Sequence, residues 1–128
     1  MADDNLALVR QMWAAYEEDG LEAILPFAAP NAVWIPFSAG GRAFEGTDEY
    51  RAFIREQEAK EEIVEARAFD FESAHDSVLV SGSIRLRRPG HLAENYVYWV
   101  HRFRDGKIVF TQSFSNPDEA RAAFTSSG

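Results

Sequence analysis

The dipeptide Asp105-Gly106 joins two β-rich runs, Glu94-Asn-Tyr-Val-Tyr-Trp-Val-His-Arg-Phe-Arg104 and Lys107-Ile-Val-Phe-Thr-Gln-Ser-Phe-Ser115. Asp-Gly between such runs predicts a two-residue hairpin, because a type I′ turn needs positive φ at both central positions. A loop that short fixes the register. Arg104 falls opposite Lys107, Phe103 opposite Ile108, His101 opposite Phe110, Trp99 opposite Gln112 and Val97 opposite Phe114. Side chains alternate across a strand, so Phe103, His101, Trp99 and Val97 share one face with their partners. That face is apolar and aromatic except for His101 and Gln112. An apolar surface with two polar groups suits a pocket for a small organic molecule.

The same reasoning extends upstream. A turn at Arg88-Pro-Gly-His91 places Val80 beside Trp99 and Gly82 beside Val97. A turn near Ser73–Asp76 places Phe69 beside Val80 and Arg67 beside Gly82. The inward face then gains Val78, Val80, Ile84, Phe69 and Phe71, an apolar set that a one-residue slip would turn outward. Four strands are thus expected, near 62–72, 77–87, 94–104 and 107–115.

Ahead of them the spacing predicts a helix over 3–19, with Leu6, Val9, Trp13 and Tyr16 on one side, Met12 beside them and Gly20 as its stop. A short helix over Leu21–Phe27 follows, then a strand over 32–37 that Pro36 ends or confines to an edge. Thr47 or Asp48 starts a helix reaching about Glu61, whose inward face carries Tyr50, Phe53, Ile54 and Gln57. Pro117-Asp-Glu-Ala opens a short closing helix. This order predicts an α+β fold in which helices segregate to one side of an antiparallel sheet, in a single domain over 1–128.

Composition removes several function classes. The formal net charge of −8 argues against nucleic acid or an anionic membrane as partner. With no cysteine there is neither a disulfide framework nor thiolate chemistry. No apolar run approaches the ~20 residues that span a bilayer, and the acidic start does not resemble a signal peptide, so a cytoplasmic location is expected. His75, His91 and His101 are far apart in sequence, and no His-x-x-x-His or clustered carboxylate pattern occurs, so no metal site is expected. Gly40-Gly41 is too short for a phosphate loop, and there is no Gly-x-Ser-x-Gly elbow. No cofactor is expected.

The opening helix ending at Asp19-Gly20, Phe27-Ala-Ala-Pro-Asn-Ala-Val-Trp34, Phe44-Glu-Gly46 and above all Asn95-Tyr-Val-Tyr-Trp-Val-His-Arg-Phe-Arg-Asp-Gly-Lys-Ile108 give the chain a resemblance. It resembles the SnoaL-like branch of the nuclear transport factor 2-like superfamily, which includes ketosteroid isomerases, polyketide cyclases and limonene epoxide hydrolases. The resemblance covers nearly the whole chain. It implies a cystatin-like cone, in which a curved antiparallel sheet wraps a pocket closed by the N-terminal helices, and it implies a homodimer formed through the sheet. It also marks departures. Where ketosteroid isomerases carry a carboxylate base this chain has Ile35; their oxyanion-hole tyrosine matches Trp13, and their protonated aspartate matches Trp99. That isomerase chemistry is not expected here.

The candidate catalytic residue is His101, since imidazole titrates near neutrality and an apolar wall favours its uncharged, proton-accepting form. The bland reading is a core histidine satisfied by a hydroxyl or backbone group. Gln112 and Gln57 are candidates to hold a ligand oxygen. Arg67, with Glu65 nearby, is a candidate carboxylate or carbonyl binder, or else one half of a solvated rim ion pair. Trp13, Tyr16, Trp34, Tyr50 and Trp99 are candidate pocket walls or plain core. The opposite sheet face, with Tyr96, Tyr98, Val100, Val109, Thr111 and Ser113, suits a subunit interface.

These residues suggest a protein that binds a small hydrophobic ligand. Two roles fit: cofactor-free proton-transfer catalysis of isomerase, cyclase or hydrolase type, or a non-catalytic carrier or sensor, to which the missing carboxylates add weight. A protein-interaction module is a third, should aromatic side chains fill the interior.

Overall fold

In the computed structural model the described residues are 2–36, 42–59, 63–88 and 90–125. Helix α1 (Ala2–Asp19) is followed by a 3₁₀ helix (Leu21–Phe27), β1 (Ala28–Ile35), a two-residue β2 (Phe44–Glu45) and α2 (Thr47–Ala59). Strands β3 (Ile63–Ala74), β4 (Ser77–Arg88), β5 (His91–Arg104) and β6 (Lys107–Phe114) and helix α3 (Pro117–Thr125) complete the chain. The sheet has six strands in the order β2-β1-β6-β5-β4-β3. It is curved and unclosed, and all its pairs are antiparallel except β1 with β6. The α+β class is as expected.

Local chemistry sets the boundaries. Gly20 ends α1 at a positive φ of 88° that favours glycine, its N–H donating to Tyr16 O at 2.8 Å. Asn116 caps α3: its side-chain oxygen accepts from the N–H groups of Asp118 (2.8 Å) and Glu119 (3.1 Å), and Pro117 takes the first helical position. Asp105 and Gly106 both have positive φ (52° and 77°), as a type I′ turn requires. The β1 strand stops at Ile35, immediately before Pro36.

The central pair matches the sequence register throughout. Val80 faces Trp99, Gly82 faces Val97, and Arg88 faces His91 across a two-residue turn. The flanking strands depart from it, and for one reason. In β6 the pairing runs Phe103–Ile108 but then Arg102–Phe110, so Val109 is an extra residue. A bulge of one residue exchanges the faces of everything beyond it. His101 therefore lies opposite Thr111, Trp99 opposite Ser113 and Val100 opposite Gln112. Strand β3 repeats the pattern. Its turn lies at His75-Asp76, which leaves Phe71 inward beside Val80, but Phe69 is an extra residue between Ala68–Gly82 and Asp70–Ser81. Arg67 thus pairs with Ser83 on the outward face, and Phe69 is 56% exposed rather than inward.

The helices divide between the two faces, which corrects the expectation of one-sided helices. On the inner face α1 packs against β3 and β4 and α2 against β1, enclosing a core with Val9, Met12, Trp34, Val78, Val80 and Ile108. On the outer face α3 sits over β4, β5 and β6, where Ala120 and Phe124 pack with Leu79 and Val100, and with Tyr98 and Phe114 beside them. Those two strand pairs form a second, smaller core where the sequence suggested a subunit interface. Val109 is the bulge residue, Thr111 and Ser113 face inward, and Tyr96 remains outward and 68% exposed.

Candidate functional site

The inner face holds a cavity of about 70 Å³. Helix α1 supplies Met12, Trp13 and Tyr16, which share one side because they are neighbours over a single turn. The 3₁₀ helix contributes Ile24, β1 Trp34, α2 Tyr50 and β3 Ala66. Strand β5 contributes Trp99 and His101, two residues apart and hence on the same face, and β6 contributes Thr111. Among the described residues the lining holds no carboxylate, lysine or arginine.

The aromatic walls are built from paired rings. Trp34 and Tyr50 stack with centroids 4.2 Å apart and planes 3° apart. Trp13 meets Trp99 edge-on at 4.8 Å and Tyr16 at 5.7 Å. The Tyr16 hydroxyl oxygen accepts the Ala66 N–H at 3.0 Å, which ties α1 to β3 at the cavity wall. These rings occupy much of the interior. An apolar cavity of ~150 Å³ is enough to bind benzene, so the space present suits a few heavy atoms, and a larger ligand must move a ring.

His101 is 3% exposed, and its Nδ1 lies 2.9 Å from Thr111 Oγ1. Burial lowers its pKa from 6.5 to about 3, so the imidazole is neutral at physiological pH. Its Nε2 is buried without a hydrogen-bond partner among the described residues, as are Trp13 Nε1 and Trp34 Nε1. Burial also pushes the Tyr50 phenol up to about 12, which keeps it protonated.

The structure brings together Trp13, Tyr16, Trp34, Tyr50, Trp99 and His101 among the residues proposed from sequence. Gln112 is excluded by the β6 bulge, which pairs it with Val100 on the outer face. Arg67 is exposed on the outer face. The space it was expected to find beside Gly82 is taken: a Cβ there would lie 1.9 Å from the Arg67 carbonyl oxygen and 3.0 Å from the Trp99 ring. The side chains of Gln57 and Glu65 lie outside the described residues. Sequence reasoning missed Ile24, Ala66 and Thr111. A signal for Thr111 was available in α3, whose apolar Ala120, Ala123 and Phe124 need apolar outward partners. Phe114 supplies one only if Thr111 and Ser113 turn inward.

Among the described residues no group of three or more His, Asp or Glu side chains could hold a metal ion, and no helix is long and apolar enough to cross a membrane.

Residues 9–111 match the model of the SnoaL-like domain. The chain belongs to the SnoaL-like family. No curated protein matches it. Solved structures share this fold. A nuclear transport factor 2-like protein of unknown function from Burkholderia pseudomallei is 24% identical, with a TM-score of 0.77 over 96% of this chain and 98% of that one. TerC, co-crystallised with polyporic acid, is 18% identical, with a TM-score of 0.77 over 94% and 97%. AclR, a putative hydroxylase from Streptomyces galilaeus, is 17% identical, with a TM-score of 0.70 over 96% and 98%.

Proposed function

We propose that this SnoaL-like protein binds a small, uncharged organic molecule in the cavity between α1, α2 and the inner sheet face, with His101 as a polar contact. One observation carries the reading: three buried polar atoms without partners, on His101, Trp13 and Trp34, belong to side chains lining the same cavity. An unpaired buried polar group costs roughly 1–3 kcal/mol, so three around one space point to a partner that arrives with a ligand. The described lining carries no charge, which favours an uncharged ligand, since an ion beside it would lose its hydration without a counter-charge. The polyporic acid of TerC supports the idea that this fold can hold an organic ring compound.

Between catalyst and carrier, the neutral His101 favours binding or hydrogen-bond assistance over general-base chemistry. A base whose conjugate acid has a pKa of about 3 removes protons poorly at neutral pH.

The test is a ligand-induced rise in melting temperature across a set of small cyclic compounds, repeated with Ala66→Leu. The added side chain fills the cavity, so the rise should disappear while the folded spectrum is kept. An unchanged rise in the Ala66→Leu protein would sink the cavity as the binding place.

The outer face supports a second copy as partner. Tyr96 and Leu92, four residues apart on β5 and 68% and 58% exposed, lie on the same side of the strand beyond α3. Tyr96→Lys should move the protein from dimer to monomer in sedimentation velocity; a wild type that is already monomeric removes this part of the proposal.

A further inference from the structure

The cavity lining changes in exposure from one end to the other. Met12, Trp34, His101 and Thr111 are buried, whereas Tyr16, Ile24, Tyr50, Ala66 and Trp99 are half-buried and form its rim. The approach to the cavity thus lies where α1, the 3₁₀ helix, α2 and β3 come together. Most of that rim is fixed. Ala66 sits in the β3–β4 ladder and donates its N–H to the Tyr16 hydroxyl at 3.0 Å. Trp99 lies on the uninterrupted β4–β5 pair, and Tyr50 is stacked on Trp34. Ile24 is the exception, because the 3₁₀ helix that carries it is held differently.

That helix has seven residues and an interior proline, Pro26, and its hydrogen-bond geometry is poorer than that of an α-helix. It follows α1 through Gly20, whose positive φ and open surroundings (nothing lies within 4 Å of where a Cβ would be) leave room to swing. Leu25, buried in the core, keeps the helix down. Among the described residues its polar side-chain ties to the rest of the protein are all exposed. Glu22 accepts from Arg51 Nε at 2.9 Å and Arg55 Nη2 at 3.3 Å, both on α2, and Lys107 Nζ donates to Pro26 O at 2.9 Å. Exposed ion pairs are weak and weaken further in salt, which suits a latch better than a permanent joint. We propose that the 3₁₀ helix is the gate of the cavity, and that the pairs of Glu22 with Arg51 and Arg55 are the latch holding Ile24 over its mouth. The closed form is the stable one, and a minor open form, with Ile24 lifted from the rim, admits the ligand. The entry half of this inference rests on the cavity binding proposed above; the movement does not.

Two indole N–H groups read the movement without a ligand. Trp13 Nε1 and Trp34 Nε1 are buried with no hydrogen-bond partner among the described residues, so exclusion of water is what protects them from exchange. Followed by NMR in deuterium oxide, their exchange should speed up about five-fold in Glu22→Gln, within the range that two exposed ion pairs allow. Glu22→Lys, which turns attraction to Arg51 and Arg55 into repulsion, should speed it further. Sodium chloride at about 1 M should close most of the gap between the wild type and Glu22→Gln. Phe124→Ala weakens the outer core equally in the closed and open forms. It should speed the slowest amides of the β4–β5 pair, which need global unfolding, and leave the indoles alone. Indole exchange unaltered in Glu22→Lys overturns the gate, and so does indole exchange that follows the amides in Phe124→Ala. Cyclopentanone then tests entry through NMR line shapes. Its association and dissociation rates should rise together in Glu22→Gln with Kd unchanged, since a gate alters the path and not the end states. A changed Kd at an unchanged association rate overturns the entry role. Failure of cyclopentanone to bind either protein removes the entry role together with the binding reading, while the exchange result still decides the movement.

Discussion

The two faces of the β4–β5–β6 sheet are built from alternate residues of the same strands, yet they are packed to different standards. On the outer face Leu79 and Val100 meet Ala120 and Phe124. There the Arg102 guanidinium donates to Ala123 O at 3.0 Å and lies over the Phe110 ring. On the inner face the side chains are larger, a cavity remains, and polar atoms of His101, Trp13 and Trp34 have no partner. A protein interior is normally close-packed and satisfied. The outer face comes closer to that rule. The inner face breaks it around His101, Trp13 and Trp34, the place proposed above for a ligand.

The sharpest way to break this comparison is at Gly82, on the inner face where β3 bends against β4. A side chain there would strike the Arg67 backbone 1.9 Å away, and backbone cannot step aside as a flexible side chain can. Gly82→Val should therefore cost on the order of 4 kcal/mol or prevent folding, whereas Ser81→Val, one residue away on the outer face, should cost less than about 1 kcal/mol. Urea unfolding of the two variants decides it; comparable costs would show that the β3 approach is not fixed.

Next in size is the outer core. Phe124→Ala removes a 6%-exposed ring from α3 and should cost about 3 kcal/mol, as phenylalanine truncation in a packed core does. Ligand-induced melting shifts should survive it, because Phe124 belongs to the other face. A loss of ligand response would mean that the two faces are coupled.

How much of this division could be read from sequence depends on the bulges. The β4–β5 register followed from Pro89-Gly90 and from alternation, because no residue is inserted along that pair. The β5–β6 hairpin was right at Arg104–Lys107 and Phe103–Ile108 and inverted from Arg102 onward. Turn chemistry fixes pairing only as far as the ladder stays regular, and nothing in Ile108-Val109-Phe110 announces an extra residue. The bulge at Phe69 did the same to Arg67. The two errors displaced the polar Gln112 and Arg67 and also Phe69, Phe110 and Phe114, all placed inward by counting alone. His101 and Trp99 lie on the uninterrupted central pair, so their placement survived. The residues on helices and β1 that reach the cavity, Trp13, Tyr16, Trp34 and Tyr50, were legible from aromatic spacing; Ala66 and Ile24 carry no such signal.

An effect of similar size separates the faces by pH. Burial lowers the pKa of His101 to about 3, against 6.5 for the exposed group. Between those values the unfolded chain binds a proton that the folded chain does not. The contribution is therefore absent above about pH 6.5, and stability falls as pH drops towards 3, by up to about 1.4 kcal/mol per pH unit. Carboxylates titrate in the same range, so the informative quantity is the wild type minus His101→Phe difference from urea unfolding between pH 7 and 4. A difference that stays flat would show that the imidazole is not held neutral by burial.

The smallest expected effect tests whether the inner face is organised around the His101–Thr111 pair. His101→Phe leaves the Thr111 hydroxyl buried and unpaired, and Thr111→Val strands both ring nitrogens. Each should cost about 1–2 kcal/mol, the usual consequence of removing one partner of a buried hydrogen bond. The double variant has no polar atom left to satisfy at that position, and the cavity beside it gives the phenyl ring room. It should unfold within about 1 kcal/mol of the wild type, well short of the sum of the single costs. Strictly additive costs in urea would mean that the 2.9 Å contact contributes nothing of its own, and the inner face would then be ordinary core with a poorly filled corner. Recovery in the double variant, accompanied by loss of the ligand-induced melting shift, would show that the pair is dispensable for folding and kept for the ligand.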